Sequence, residues 1–92
     1  MSEVKKKVLK ISGSSPTPAT AGSIVKAYEE GFHDIELRAI GASSVNQMFK
    51  AMATASGIFA QKGKILTFRP GYDVVNIDGC EKTAMIAVVI VQ

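Results

Sequence analysis

The sequence predicts an α+β fold, a two-layer β-α-β-α-β-β sandwich in which a mixed four-stranded sheet carries two helices on one face. Three observations lead there. Apolar residues recur at helical spacing in two windows, Ala21, Ile24, Val25 and Tyr28, then Val45, Met48, Phe49 and Met52. Each window follows a run of strand character, Lys5 to Ile11 and Asp34 to Ile40, and right-handed strand-helix-strand crossovers put both helices on the same side. Asp78-Gly79 joins the last two strand runs as a hairpin signal.

In KKKVLKI, Leu9 and Ile11 point inward while Val8 and Lys10 face the other way. Its three consecutive lysines suit an exposed edge first, with an arm that tracks phosphates as the second reading. Gly13-Ser14-Ser15-Pro16 reads as a turn, and Thr17 as a capping residue before Pro18 at the first helical position. Lys26 and Glu30 are spaced to pair on the wet side of this helix. Gly31 ends it, with Phe32 placed for the contact that accompanies a Schellman stop. Asp34 to Ile40 alternates polar and apolar residues, and Gly41 breaks the alternation. Ser44 with Gln47 has capping-box form, which starts the second helix there. Ser56-Gly57 is its stop, after which Ile58-Phe59-Ala60 covers the end of the core and Gln61-Lys62-Gly63-Lys64 turns. Strand character resumes at Ile65 to Phe68, and Pro70-Gly71 interrupts it, marking an edge or a bend. Tyr72 to Ile77 and Lys82 to Val91 complete the strands. The unbroken apolar run AMIAVVIV predicts a last strand with neighbours on both sides and little solvent on either face.

Ninety-two residues form a single domain, 1–92, and so small a domain has a thin stability margin that self-association would widen. Hydrophobic residues at 47% and charged residues at 21% exclude a disordered chain. The single cysteine, Cys80, allows no internal disulfide and no zinc spacing, which points to the cytoplasm. The charged amino terminus, Met1 to Lys7, lacks the apolar stretch of a secretory signal. The longest apolar run, Ala84 to Val91, is too short to span a membrane. Eleven basic against eight acidic residues leave +3 and a pI near 9.2, a balance that suits a polyanionic partner.

No phosphate-loop, dinucleotide, zinc-protease or serine-hydrolase motif is present, and one histidine with one cysteine leaves no nucleophile-and-base pair. The expectation is a protein that is not an enzyme and takes no cofactor or metal. His33 reads as a surface residue; Asp73, Asp78 and Glu81 keep a hairpin tip soluble. The chemistry lies elsewhere. Parallel first and second strands would place the Gly13 to Thr17 and Gly41 to Ser44 loops on one edge, each opening into a helix amino terminus that favours an anion. A third parallel strand would project the Asp78-Gly79 tip from the same edge. The candidate anion-binding residues are therefore Ser14, Ser15, Thr17, Gly41, Ser43, Ser44, Asn46, Gln47, Lys50 and, beside the tip, Lys82. Ser43 and Ser44 serve as plain helix caps before they serve as phosphate ligands, and Lys50 equally as a phosphate contact or a solvated helix residue.

At RAIGASSVNQMFKAMATASG, Arg38 to Gly57, the chain resembles the stage V sporulation protein S family of bacteria. VLKISGSSP, Ala21-Gly22-Ser23, the AIGA and VNQ elements around Gly41, and IDGCEKTA from Ile77 to Ala84 extend the resemblance in the same order. The resemblance implies a small cytoplasmic protein tied to spore development or regulation. It also implies kinship with Alba, the archaeal chromatin protein, and with it a sheet ordered 1-2-4-3, which makes the last strand internal and the proline-bearing strand an edge. Alba-like proteins bind DNA or RNA as dimers through basic residues in the first loop, the strand-to-helix turn and the hairpin. Here the loop Gly13 to Thr17 has no lysine, Ile40 and Ala42 flank Gly41 where arginine is usual, and Asp78 and Glu81 outnumber Lys82. Each missing phosphate contact lowers affinity and salt dependence. The expected function is thus a non-enzymatic nucleic-acid-binding regulator of weak to moderate affinity, acting as a dimer or tetramer. The rival is a protein-interaction scaffold, or a regulator that binds a small anion and no nucleic acid.

Overall fold

The computed structural model describes residues 5–92, so the first part of the charged amino terminus, residues 1–4, lies outside the described residues. The elements are β1 (Lys6–Ile11), α1 (Thr17–Glu29), β2 (Asp34–Ile40), α2 (Ala42–Gln61), β3 (Leu66–Ile77) and β4 (Cys80–Val91). They form a mixed sheet of order β1-β2-β4-β3. β1 and β2 are parallel, and β4 is antiparallel to both β2 and β3. β1, β2 and β3 therefore run in one direction. Their carboxyl ends, with the β3–β4 turn, share a single rim.

Alternation along the strands sorts side chains to two faces. Ile11, Ile35, Leu37, Ala39, Ala87 and Val89 are buried on one face, against Ala21, Ile24, Val25 and Ala27 of α1 and Met48, Ala51, Met52, Ala55 and Phe59 of α2. The ring of Phe59 meets Tyr28 edge-on at 5.2 Å between centroids. Both helices end in Schellman geometry. Phe32 N–H donates to Ala27 C=O and Gly31 N–H to Tyr28 C=O; Lys64 N–H donates to Phe59 C=O and Gly63 N–H to Ala60 C=O.

The helix boundaries differ from the sequence reading in three places. α2 continues past Gly57 to Gln61, because burying Phe59 outweighs the roughly 1 kcal/mol that a mid-helix glycine costs. α2 also begins earlier, at Ala42, with Gly41 at its N-cap. Gly41 has φ +91 and ψ 158, a region essentially closed to any residue with a Cβ. Ser44 is thus the third residue of α2 and buried, and no capping box forms. α1 starts at Thr17 with Pro16 at its N-cap, so Thr17 is not the cap and makes no side-chain capping bond.

Two side-chain expectations also change. Among the described residues Lys26 and Glu30 form no ion pair, whereas Glu29 reaches across to Lys62 at 2.8 Å. Phe49 leaves the core stripe at 51% exposed and packs edge-on against Phe68 at 5.4 Å.

Among the strands, β3 runs unbroken through Pro70 and Gly71, with Pro70 opposite Ala87. Its place at the sheet edge makes the missing N–H tolerable. β4 is internal, as the resemblance implies, but it is not screened on both faces. Among the described residues no helix covers its second face, where Ile90 is 37% exposed. The Asp78-Gly79 turn has positive φ at both residues, 52 and 79, the conformation that matches strand twist in a two-residue hairpin.

Phe59 carries the largest single share of side-chain burial. Phe59→Ala is expected to cost about 3–5 kcal/mol of a total on the order of 5–15 kcal/mol, read as a loss of urea midpoint with an unchanged slope.

Candidate functional site

The β1–α1 loop is tied to itself and to α2. Ser12 N–H donates to Ser15 Oγ at 2.9 Å, Ser15 N–H returns to Ser12 C=O at 3.1 Å, and the Ser12 hydroxyl lies 3.2 Å from those of Ser14 and Ser15. Gln47 Nε2 donates to Ser15 C=O at 2.7 Å, so its amide anchors the loop in place of capping its own helix. Gly13 abuts Ser43: a Cβ at position 13 would stand 2.3 Å from Ser43 Oγ. The two loops that the sequence places on one edge are therefore in contact, and no side chain caps either helix start.

The candidate residues divide accordingly. Ser14, Ser15, Thr17, Gly41, Ser43 and Gln47 gather on this rim. Asn46 is exposed in the second turn of α2. Lys50 is exposed too, but eight residues past Ala42, about 12 Å along the axis. Lys82 lies on the hairpin arm opposite Val75. Ser44 turns away from solvent and lines a cavity on the sheet face that no helix covers.

That cavity, about 440 Å³, opens among Lys10, Ile11, Ser12, Arg38, Ile40, Ser44 and Ala84, with Val75 and Ile77 on its far side. Lys10 and Arg38 are direct cross-strand partners. An ion network runs beside them on the same face. Glu36, only 7% exposed, accepts from Arg38 Nε at 2.6 Å and pairs with Lys6 Nζ at 3.2 Å, and Arg38 Nη2 reaches Asp73 Oδ2 at 3.3 Å. The Arg38 hydrogen bond holds the Glu36 carboxyl below its ordinary pKa, against the opposing effect of burial and with further help from Lys6. Glu36 in turn raises the Arg38 guanidinium above its usual value. Sequence reasoning assigned no role to Lys10, Ser12 or Arg38. Alternation puts Lys10 and Arg38 on the polar side of their strands, but only the β1–β2 register makes them neighbours.

The remaining lysines sit away from this rim. Lys5 and Lys7, at the opposite end of β1, hold their ammonium groups 5.7 and 5.6 Å from the Phe32 ring, and Lys64 lies 5.7 Å from the Tyr28 ring. His33 and Cys80 are exposed. Among the described residues no helix is long and apolar enough to cross a membrane.

A family model described as Stage V sporulation protein S (SpoVS) matches residues 7–92 of the chain.

The lowered Glu36 pKa fixes a direction for acid unfolding. The folded state holds this proton less tightly than the unfolded chain, so the contribution is complete above the ordinary glutamate pKa of about 4.3 and fades as pH falls below it. Glu36→Gln should be less stable at neutral pH and lose part of the stability slope on the acid side. Urea midpoints measured across that range check it.

Proposed function

The chain belongs to the stage V sporulation protein S family, and on that premise we propose that this sporulation-related protein is a non-enzymatic, cytoplasmic nucleic-acid-binding regulator acting as a homodimer or higher oligomer. One observation carries the reading: the β1–α1 loop and the start of α2 touch on a single rim, with neither helix start capped by a side chain. Unoccupied amides and the positive ends of two helix dipoles favour phosphate there. Lys10 and Lys82 flank the rim, and among the described residues neither forms an ion pair. Backbone contacts of this kind fix position on a phosphate chain without reading bases.

Self-association is supported by the apolar surface on the helix side of the hairpin arm. Tyr72 at 73%, Val74 at 54% and Met85 at 39% exposed continue from Phe49, and Tyr72 stands opposite Met85 in the β3–β4 register. A second copy covering this patch removes apolar area from water and brings a second rim into the assembly, which adds to the few phosphate contacts one chain offers.

Anisotropy titrations of a DNA duplex, a single strand and an RNA across a salt series test the first part. Affinity should fall with salt at a log–log slope of about −4 for duplex DNA if each protomer of a dimer neutralises two phosphates, and Lys82→Glu, present in both protomers, should weaken binding and reduce that slope by about 2. No affinity for any of the three at low salt rejects the reading in favour of a scaffold or a regulator of small anions. For self-association, sedimentation at micromolar concentration should show a dimer or tetramer for the native chain and monomer for Phe49→Asp.

A further inference from the structure

The uncovered face of the sheet is not flat. Ala84 is 2% exposed although no helix packs over it. Its cross-strand partners Ile40 and Asp73 stand on either side, and the small side chain leaves the floor of the cavity between them. The volume, about 440 Å³, falls within the roughly 300–1,000 Å³ of small-molecule sites.

Charge among the residues lining the cavity leaves one cation over. Lys6, Glu36, Arg38 and Asp73 form a chain of ion pairs, two positive and two negative groups. Lys10 stands beside Arg38 in register, a like-charge neighbour that destabilises an empty sheet face. No carboxylate among the described residues pairs with it. The hydroxyl groups collect at the same end: Ser12 and Ser44 line the cavity. Ile11 is the one apolar lining residue at the β1 end, and toward β3 the lining becomes wholly apolar, through Ile40 and Ala84 to Val75 and Ile77. With the sheet ordered β1-β2-β4-β3, that gradient crosses three strand spacings, about 14 Å. No aromatic side chain lines the cavity, so a nucleic-acid base has nothing there to stack on.

We infer that this cavity binds an elongated apolar monoanion, its charged head at Lys10, Ser12 and Ser44 and its apolar body over Ile40, Ala84 and Ile77. The site shares Lys10 with the rim of the nucleic-acid reading, but its apolar floor does not, and it stands whether or not that reading survives. Lys10 is the one lining cation without an ion pair and matches a single negative head; Lys82, opposite Val75, does not line the cavity, and the apolar end rewards chain length.

Calorimetry and methyl NMR on the full chain test this with hexanoate, octanoate and decanoate below their micelle concentrations, and with octanol and inorganic phosphate as controls. Affinity should rise about two- to fourfold per added methylene, with shifts at the Ile40, Ile77 and Ala84 methyls. Octanol and phosphate should bind at least tenfold more weakly than octanoate. Lys10→Ala should lose about tenfold. Ala84→Leu should block the site while leaving any duplex affinity unchanged, and the exposed Ile77→Asn, which carries little folding risk, should weaken decanoate more than hexanoate. Octanol binding as tightly as octanoate, Lys10→Ala binding octanoate like the native chain, or shifts confined to Phe49 and Phe68 would each overturn the inference. A chain that binds nucleic acid but none of the acids overturns it alone, and one that binds the acids but no nucleic acid overturns only the other reading.

Discussion

β2 pairs in parallel with β1 on one side and antiparallel with β4 on the other, and its alternation has to satisfy two different environments at once. Ile35, Leu37 and Ala39 go to the helices, almost wholly buried, while Glu36 and Arg38 go to the uncovered face. There the carboxylate of Glu36 is tolerated at 7% exposure because Arg38 and Lys6 both reach it; an isolated buried charge would not be. A one-residue slip in the register of β2 would exchange these two sets. Fold and charged face are thus set by the same pairing.

The rim follows from that parallel pair. Because β1 and β2 point the same way, both strand-to-helix loops leave from the same side of the sheet and meet. Gly13 against Ser43 and Gln47 against Ser15 then fix the loops to each other. α2 leaves β2 through a glycine conformation that no other residue holds without strain. With no capping side chain at either helix start, the positive ends of both helices face the rim. The hairpin arm continues beyond the helices, and its apolar residues remain uncovered in the single chain. The uncovered surfaces therefore differ in kind: a polar rim, an apolar arm, and a cavity whose character changes from one end to the other.

Elements with strong local signals were legible. Gly31 with Phe32 after Tyr28 spelled a Schellman stop and formed one; Asp78-Gly79 spelled a two-residue turn and formed one. The weaker signals misled for identifiable reasons. Ser56-Gly57 has the look of a helix end, but Ala55 and Phe59 continue the buried stripe across it, so packing prevailed over local preference. Ser44 and Gln47 have the spacing of a capping box, yet Gln47 gains more by anchoring a loop thirty-two residues away in sequence. AMIAVVIV reads as doubly buried, but half of its residues face a side that lacks a covering layer.

The sequence by itself determined the order of the elements, the β1–α1 and β2–α2 loops as the sites of special backbone chemistry, and, through motifs spread over most of the chain, the family. Periodicity, glycine placement and turn residues act over a few positions and can be read from them. Tertiary structure alone decided which side chains meet across strands and between loops: Lys10 beside Arg38, Glu36 between two cations, Gly13 against Ser43, Ala84 at the floor of a cavity. Such contacts depend on pairing register and on which face a helix covers, and those are settled by burial summed over the whole domain.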